Sequence, residues 1–299
     1  MKGFWEWIIL TLKGIGMGAA NVVPGVSGGT IAFITGIYER LVGAINNFDT
    51  SAVKMLFGGK FKDFWKHIDG NFLTAILLGV AIATFSLAKL MLILLADYPI
   101  QTWAFFFGLI IASSILILGG LKDWKASDFI CLVAGAVIGV LVCTLSPMET
   151  PDGLWFIFVC GAVSISAMIL PGISGSFILL VMGKYEYIMK AIDGVLHLDV
   201  QSIIVLLVFA FGCVVGILAF AKLLHWLLAR YNRQTVIALA GFILGSLVKV
   251  WPWNSYDGTP NPLTGEVAPP HILAAILWCI AGIALVLGLE WAGKRVSSK

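Results

Sequence analysis

A hexapeptide that cannot be helical interrupts two otherwise apolar stretches of this chain. The first copy is Pro24-Gly25-Val26-Ser27-Gly28-Gly29 and the second is Pro171-Gly172-Ile173-Ser174-Gly175-Ser176. Proline lacks a backbone donor and glycine opens left-handed angles, so neither string continues an α-helix. Each is followed by an apolar run ending in Gly-x-Tyr-Glu, at Gly36, Tyr38 and Glu39 and again at Gly183, Tyr185 and Glu186. In a bilayer such irregular backbone persists only where protein or a polar cavity surrounds it. Interruptions at corresponding places in two halves of a chain point to a transporter's binding site.

The composition places the interruptions in a membrane. The chain of 299 residues is 60% hydrophobic and 12% charged, with a mean hydropathy of +1.00. A soluble domain is about half apolar and about a quarter charged. An all-α polytopic membrane protein is therefore expected. Apolar runs able to cross about 30 Å of hydrocarbon occupy residues 72–96, 102–120, 128–147, 201–229, 234–251 and 270–292. Two further runs, 4–45 and 154–190, carry the hexapeptides and are expected to form broken, re-entrant helical hairpins whose ends return to one side. Phe4–Leu12 is apolar, but no small-x-small cleavage site precedes a soluble domain, so no cleavable signal peptide is expected.

Charge placement gives the sidedness. Lys54, Lys60, Lys62 and Lys66 lie in 46–71, Lys122 and Lys125 in the next basic loop, Arg230 and Arg233 in a short turn, and Lys294, Arg295 and Lys299 in the tail. The turn at 97–100 and the loops 148–153 and 252–269 hold acidic residues and no Lys or Arg. Six spans and two same-side hairpins put every basic loop in the cytoplasm, with both termini. Making either hairpin a single crossing would misplace Arg230 and Arg233 or Lys122 and Lys125.

The repeat extends past the hexapeptide. Shifting 21–45 by 147 residues matches ten positions, among them Ile31, Gly36, Tyr38 and Glu39. Shifting 88–113 by 133 matches Lys89 to Lys222, Tyr98 to Tyr231, Gln101 to Gln234 and Gly108 to Gly241. The offsets differ because the first half carries the basic insert 46–71. The first repeat covers 1–127 (hairpin 4–45, spans 72–96 and 102–120) and is completed by the span 128–147. The second covers 154–292 (hairpin 154–190, spans 201–229, 234–251 and 270–292). A hairpin plus three transmembrane helices is odd in crossings, so the halves are expected to form an inverted-topology repeat.

The chemistry concentrates at the breaks. A helix is expected to start at Gly28–Thr30 and another at Gly175–Phe177, each presenting free N–H groups and a positive dipole end. Ser27, Thr30, Ser174 and Ser176 add hydroxyls, which makes an anion seat suited to phosphate. The plainer alternative is a structural turn for tight packing. Asn21 precedes only the first turn and is a lesser candidate. Gly25-Val26-Ser27-Gly28-Gly29 also fits the serine-hydrolase pattern, but of the histidines only His225 lies well inside a span, and an enzyme rarely needs two nucleophiles. Lys89 and Lys222 lie at membrane depth, where a charge is functional or snorkels to the headgroups. Glu39, Arg40, Glu186 and His225 are candidates for gating or ion coupling, with an interfacial ion pair as the alternative.

Other residues point away from chemistry. The five cysteines, Cys131, Cys143, Cys160, Cys213 and Cys279, lie in apolar runs without CxxC spacing and read as buried hydrophobes. The tryptophans read as an interfacial belt. Metal-ligand clusters, Walker loops and dinucleotide fingerprints do not occur in the sequence, so no cofactor and no ATP hydrolysis are expected. The net charge of +3 is small, and nucleic acid is not an expected partner.

The doubled motif carries a resemblance. Asn21-Val22-Val23-Pro24-Gly25-Val26-Ser27-Gly28-Gly29-Thr30, Leu170-Pro171-Gly172-Ile173-Ser174-Gly175-Ser176, Gly36-Ile37-Tyr38-Glu39-Arg40 and Trp103-Ala104-Phe105-Phe106-Phe107-Gly108-Leu109 resemble the DUF368 family of bacterial membrane proteins. That family is the polyprenyl-phosphate transporter group. The resemblance implies a non-enzymatic protein of the bacterial inner membrane that flips undecaprenyl phosphate, the lipid carrier of cell-wall synthesis. Hydropathy and repeats alone imply an anion-binding inverted-repeat transporter, and leave a small-anion transporter or channel and an intramembrane hydrolase as alternatives. Oligomeric state and driving force are left open.

Overall fold

The computed structural model of the chain describes residues 2–22, 27–147, 150–151, 153–253 and 271–297. Pro24, Gly25, Val26 and most of the expected external loop 252–269 lie outside the described residues, as does the side chain of Lys89. Among the described residues the regular structure is helical throughout. The helices are α1 (Lys2–Val22), α2 (Gly28–Ile34), α3 (Tyr38–Asn46), α4 (Thr50–Phe57), α5 (Phe61–His67), α6 (Gly70–Asp97) and α7 (Pro99–Gly119). They continue as α8 (Ala126–Cys143), α9 (Leu154–Ile169), α10 (Gly175–Val181), α11 (Tyr185–Leu196), α12 (Val200–Arg230), α13 (Asn232–Ser246) and α14 (Ile272–Ser297).

Both hexapeptides break a helix where expected: α1 gives way to α2 and α9 to α10. Each hairpin then breaks a second time, so it consists of three helices instead of two. At Gly36 the Ile37 N–H reaches back to the Ala32 carbonyl and the Gly36 N–H to Phe33; at Gly183 the Lys184 N–H reaches Leu179 and the Gly183 N–H reaches Leu180. That pattern is the Schellman stop, and Gly36 (φ +70°) and Gly183 (φ +65°) supply its left-handed residue. The Gly-x-Tyr-Glu string is thus a helix stop followed by a helix start. The carbonyls just before the stops are also taken: Lys13 Nζ donates to Thr35 O at 2.7 Å, and Thr150 Oγ1 donates to Met182 O at 2.7 Å.

Two of the expected spans are shorter as α-helix than the hydropathy suggests. α8 ends at Cys143 and α13 at Ser246. Beyond Ser246 the chain tightens into i→i+3 turns as far as Val250, whose N–H donates to Leu247 O at 3.1 Å. α7, α8 and α12 are each long and apolar enough to cross a bilayer, as are α5 and α6 taken as one bent pair. Their outer faces are apolar: Leu207 is 65% and Phe211 63% exposed on α12. Such faces need lipid, which makes this a multi-pass membrane protein.

The chain folds as two compact units, one of Met1–Leu87 with Leu145–Val236, the other of Ala88–Thr144 with Ile237–Lys299. In the first, α1 crosses α6 and α9 crosses α12, with α3 and α11 also lying on α12. The crossings are close because glycines form them. A Cβ at Gly14 would strike the Ile76 backbone, one at Gly161 the Phe209 carbonyl, and one at Gly212 the Phe158 carbonyl. Ile157, Cys160, Leu179, Ile188 and Val205 form a core beside the α9–α12 crossing. In the second unit α7 pairs with α14 through Gly108 and Gly282, and α8 with α13 through Gly135, Gly139, Gly241 and Gly245.

Candidate functional site

The two helix starts are built alike. Ser27 is the N-cap of α2, with extended angles (φ −112°, ψ 137°), and its Oγ accepts from Gly29 N at 3.0 Å. Ser174 is the N-cap of α10 (φ −104°, ψ 146°), and its Oγ accepts from Phe177 N at 3.2 Å. A serine cap satisfies one of the orphan donors at a helix start. The first start is closed further: Gly28 N donates to Asn21 Oδ1 at 2.8 Å and Thr30 N to Ser27 O at 2.9 Å. Asn21, a lesser candidate on sequence grounds, thus has a definite role.

The motifs, about half the chain apart, touch. Gly172 N donates to Thr30 Oγ1 at 2.7 Å, and Ser27 Oγ donates to Leu170 O at 3.2 Å. Gly29 lies so near the end of α9 that a Cβ on it would sit 2.5 Å from Ile169 O. Gly172 has φ +95°, which a residue with a side chain rarely adopts. Ser27, Thr30, Pro171, Gly172 and Ile173 are buried, so the two motifs pack into one another. The contact leaves Gly175 half-buried and Ser176 exposed, and the second helix start is therefore the one that reaches the surface. Three N–H groups, of Gly28, Gly29 and Gly172, point at the neutral oxygens of Asn21, Ser27 and Thr30.

The other candidates sit elsewhere. Lys222 and His225 lie on α12, and both are exposed. Glu186 faces Lys190 at 3.8 Å with both side chains in solvent, a weak pair. Glu39 accepts from Asn232 Nδ2 at 2.8 Å. Arg40 is the best connected: its guanidinium meets Asp69 at 2.6 and 3.2 Å and Glu6 at 3.2 Å, and lies 4.5 Å from the Phe72 ring centroid. Neither motif serine is hydrogen-bonded to a histidine among the described residues; the Ser27 hydroxyl is taken by Leu170 and Gly29.

Arg40 also lines one of two related clefts. A cleft of about 220 Å³ is bounded by Trp7, Arg40, Asn71 and Phe72, with Glu6 and Asp69 across it. One of about 560 Å³ is bounded by Leu154, Tyr187, Ile204 and Val205, with Asp199 and Gln201 at its rim. Trp7 and Arg40 correspond to Leu154 and Tyr187 at the offset of 147, and Asn71 and Phe72 to Ile204 and Val205 at 133. The clefts thus occupy equivalent places in the two halves. The smaller one is spanned by charged side chains, and the larger has Tyr187 where the smaller has Arg40. Asp199 caps α12; the Ser202 hydroxyl, and then the Ser202 N–H at 2.9 Å, hold its carboxyl below the usual range.

Comparison with known proteins agrees in one direction. The family model described as undecaprenyl phosphate translocase-like matches residues 17–267. A "Polyprenyl-phosphate transporter" of Vibrio cholerae serotype O1 is 41% identical over 297 aligned residues, covering 93% of this chain and 94% of that protein. A protein of the same name from Staphylococcus aureus is 30% identical, covering 95% of this chain and 94% of that protein. No solved structure matches the chain.

Proposed function

Because this chain belongs to the undecaprenyl phosphate translocase-like family, we propose that it is a polyprenyl-phosphate transporter that flips undecaprenyl phosphate across the bacterial cytoplasmic membrane. The lipid would thereby return for another round of carrying cell-envelope precursors. The observation that supports this most directly is the joint between the hexapeptides, where Gly172 N and Thr30 Oγ1 meet at 2.7 Å. A seat made by two halves can open toward either side as the halves move.

In this reading the phosphate enters by exchange. The N–H groups of Gly28, Gly29 and Gly172 are already aimed at oxygen acceptors. A phosphate offers three charged oxygens, and charge-assisted hydrogen bonds are about twice as strong as neutral ones. It would displace Asn21 and Thr30 and part the turns, while the prenyl tail stays in lipid. Pro24, Gly25 and Val26 are assigned to the seat as part of the same motif, and Gly175 and Ser176 offer the accessible entrance to the second. Lys89 and Lys222 add charge along the path. Glu39, Arg40 and Glu186 belong to the gates, with Arg40 bridging the smaller of the two clefts, and His225 is a candidate for ion coupling.

We read the two halves as inverted-topology repeats with both termini cytoplasmic. Four glycine pairs support the repeat: Gly14 and Gly161, Gly79 and Gly212, Gly108 and Gly241, Gly135 and Gly282 are related by the sequence offsets 147, 133, 133 and 147, and each makes a helix crossing. The pairing is also reciprocal, since α7 lies on α14 and α8, the counterpart of α14, lies on α13, the counterpart of α7.

Native mass spectrometry of the purified protein with undecaprenyl phosphate, inorganic phosphate and a serine-directed fluorophosphonate tests the reading. Retention of the lipid, with loss on Gly29→Val, is expected. Equal retention of inorganic phosphate would favour a small-anion carrier, and covalent fluorophosphonate labelling of Ser27 would favour a hydrolase. Lys222→Ala should slow transport more than Lys222→Arg; normal transport by both Lys89→Ala and Lys222→Ala would make the lysines interfacial anchors.

A further inference from the structure

One element breaks the likeness between the halves. α11 runs into α12 through His197–Asp199 alone, whereas residues 47–69 stand between α3 and α6 and fold as α4 and α5. The insert is fastened at its base. Asn47 Nδ2 donates to His67 O at 2.8 Å, His67 Nε2 faces Asp49 at 3.2 Å, and Phe48 meets Phe64 edge-on at 6.4 Å. Ala52 and Ile68 are buried there. The rest of its apolar surface is not. Val53, Leu56 and Phe57 share one face of α4 at i, i+3, i+4 spacing, and Phe61 and Trp65 share one of α5. Phe57 is 86% and Phe61 65% exposed. Lys54, Lys60, Lys62 and Lys66 are exposed among them, against Asp63 as the one carboxylate within α4 and α5.

The direction of the insert says what covers it. α5 meets the spanning part of α6 at 68°, and the Trp65 ring covers Gly70 at the bend, where Trp65 Nε1 donates to Asn71 Oδ1 at 2.9 Å. A helix steeply bent from a spanning helix lies near the plane of the leaflet. Aromatic and aliphatic side chains mixed with lysines are the composition of an interfacial helix, and lysines near the surface favour anionic lipid. We propose that α4 and α5 form a phospholipid-binding element, with Val53, Leu56, Phe57 and Phe61 at acyl depth and the four lysines on anionic headgroups. The site is separate from the hexapeptide seat and requires no polyprenyl phosphate.

The test uses the full-length protein in nanodiscs of phosphatidylcholine, alone or with phosphatidylglycerol. A nitroxide is placed at F57C or F61C in a background whose native cysteines are alanine. Greater collision with oxygen than with a water-soluble nickel chelate is expected at both positions. Native mass spectrometry of the mixed nanodiscs should retain phosphatidylglycerol, and K54Q, K60Q, K62Q and K66Q should lower its enrichment by up to about fivefold each, the factor for ~1 kcal/mol per lysine. Arginine at the same four positions should retain it. Nickel accessibility at both labels in both lipids, spin–spin broadening that shows a second copy covering the face, or unchanged phosphatidylglycerol with four glutamines would each overturn the proposal.

Discussion

At Thr30 a single hydroxyl joins two segments 142 residues apart. Thr30→Val keeps the shape but leaves the buried Gly172 N–H without its acceptor, which costs about 1–3 kcal/mol. Thr30→Ser keeps the oxygen and should lose much less. Thermal unfolding in detergent compares them, and equal loss in both would mean that the methyl packing, not the hydrogen bond, matters. Gly29→Ala should be worse for transport than Ser27→Ala. The first pushes a methyl to 2.5 Å from a backbone carbonyl that cannot swing aside. The second removes a cap worth ~1 kcal/mol. Outward-exposed undecaprenyl phosphate in cells with matched protein levels gives the ranking. The serines are legible as caps, because Ser before a glycine-opened apolar run is a helix-start signal. Thr30 as an acceptor for the other half is not, since nothing local marks a partner so distant in sequence. Asn21 is visible in the sequence only as an unexplained polar residue beside the break.

At the scale of helices, spacing between backbones is the property that mutation tests best. Gly212→Ala forces a methyl into the Phe158 carbonyl across the α9–α12 crossing, an overpacking that should cost about 1–3 kcal/mol. Gly119→Ala, where nothing lies within 4 Å, should be neutral or gain up to ~1 kcal/mol from helix propensity. Melting temperatures decide, and a harmless Gly212→Ala would mean that the crossing yields. α4 carries a pH prediction. The Ala52 N–H first, and His67 next, hold the Asp49 carboxyl below its ordinary range. Its cap is therefore complete at neutral pH and is lost only as the pH falls through that lowered value. Hydrogen exchange at Ala52 should accelerate there in the parent and not in Asp49→Asn, which caps without titrating. Apolar runs reveal the helices well, because twenty apolar residues have few other options in a bilayer. The second break in each hairpin does not follow from hydropathy, although Gly36 and Gly183 stand in plain view. As sequence they are landmarks of the repeat, and only the backbone hydrogen bonds show them as stops. α13 ends short of its hydropathy run for the same kind of reason: hydropathy measures depth, not hydrogen-bond register.

For the whole molecule, the repeat is legible because polar and glycine positions recur at fixed offsets, and the same offsets relate the two clefts and the four glycine crossings. The closed packing of the turns is not legible, since the sequence shows donors but not which acceptors fill them between ligands. The expected sidedness rests on the placement of Lys and Arg. Cysteine at Ser51 should react only from the cytoplasm and cysteine at Asp97 only from outside; both are exposed positions, and labelling of Ser51 from outside would mean a hairpin crosses the membrane. The reading as a whole stands on movement of the lipid through a seat that the two hexapeptides share. The direct measurement is transfer of undecaprenyl phosphate between leaflets of liposomes containing the purified protein, compared with Gly29→Val reconstituted at equal density. The account predicts transfer by the parent, above that of empty liposomes, and none by the variant. Equal transfer by both, or none by the parent, would contradict it.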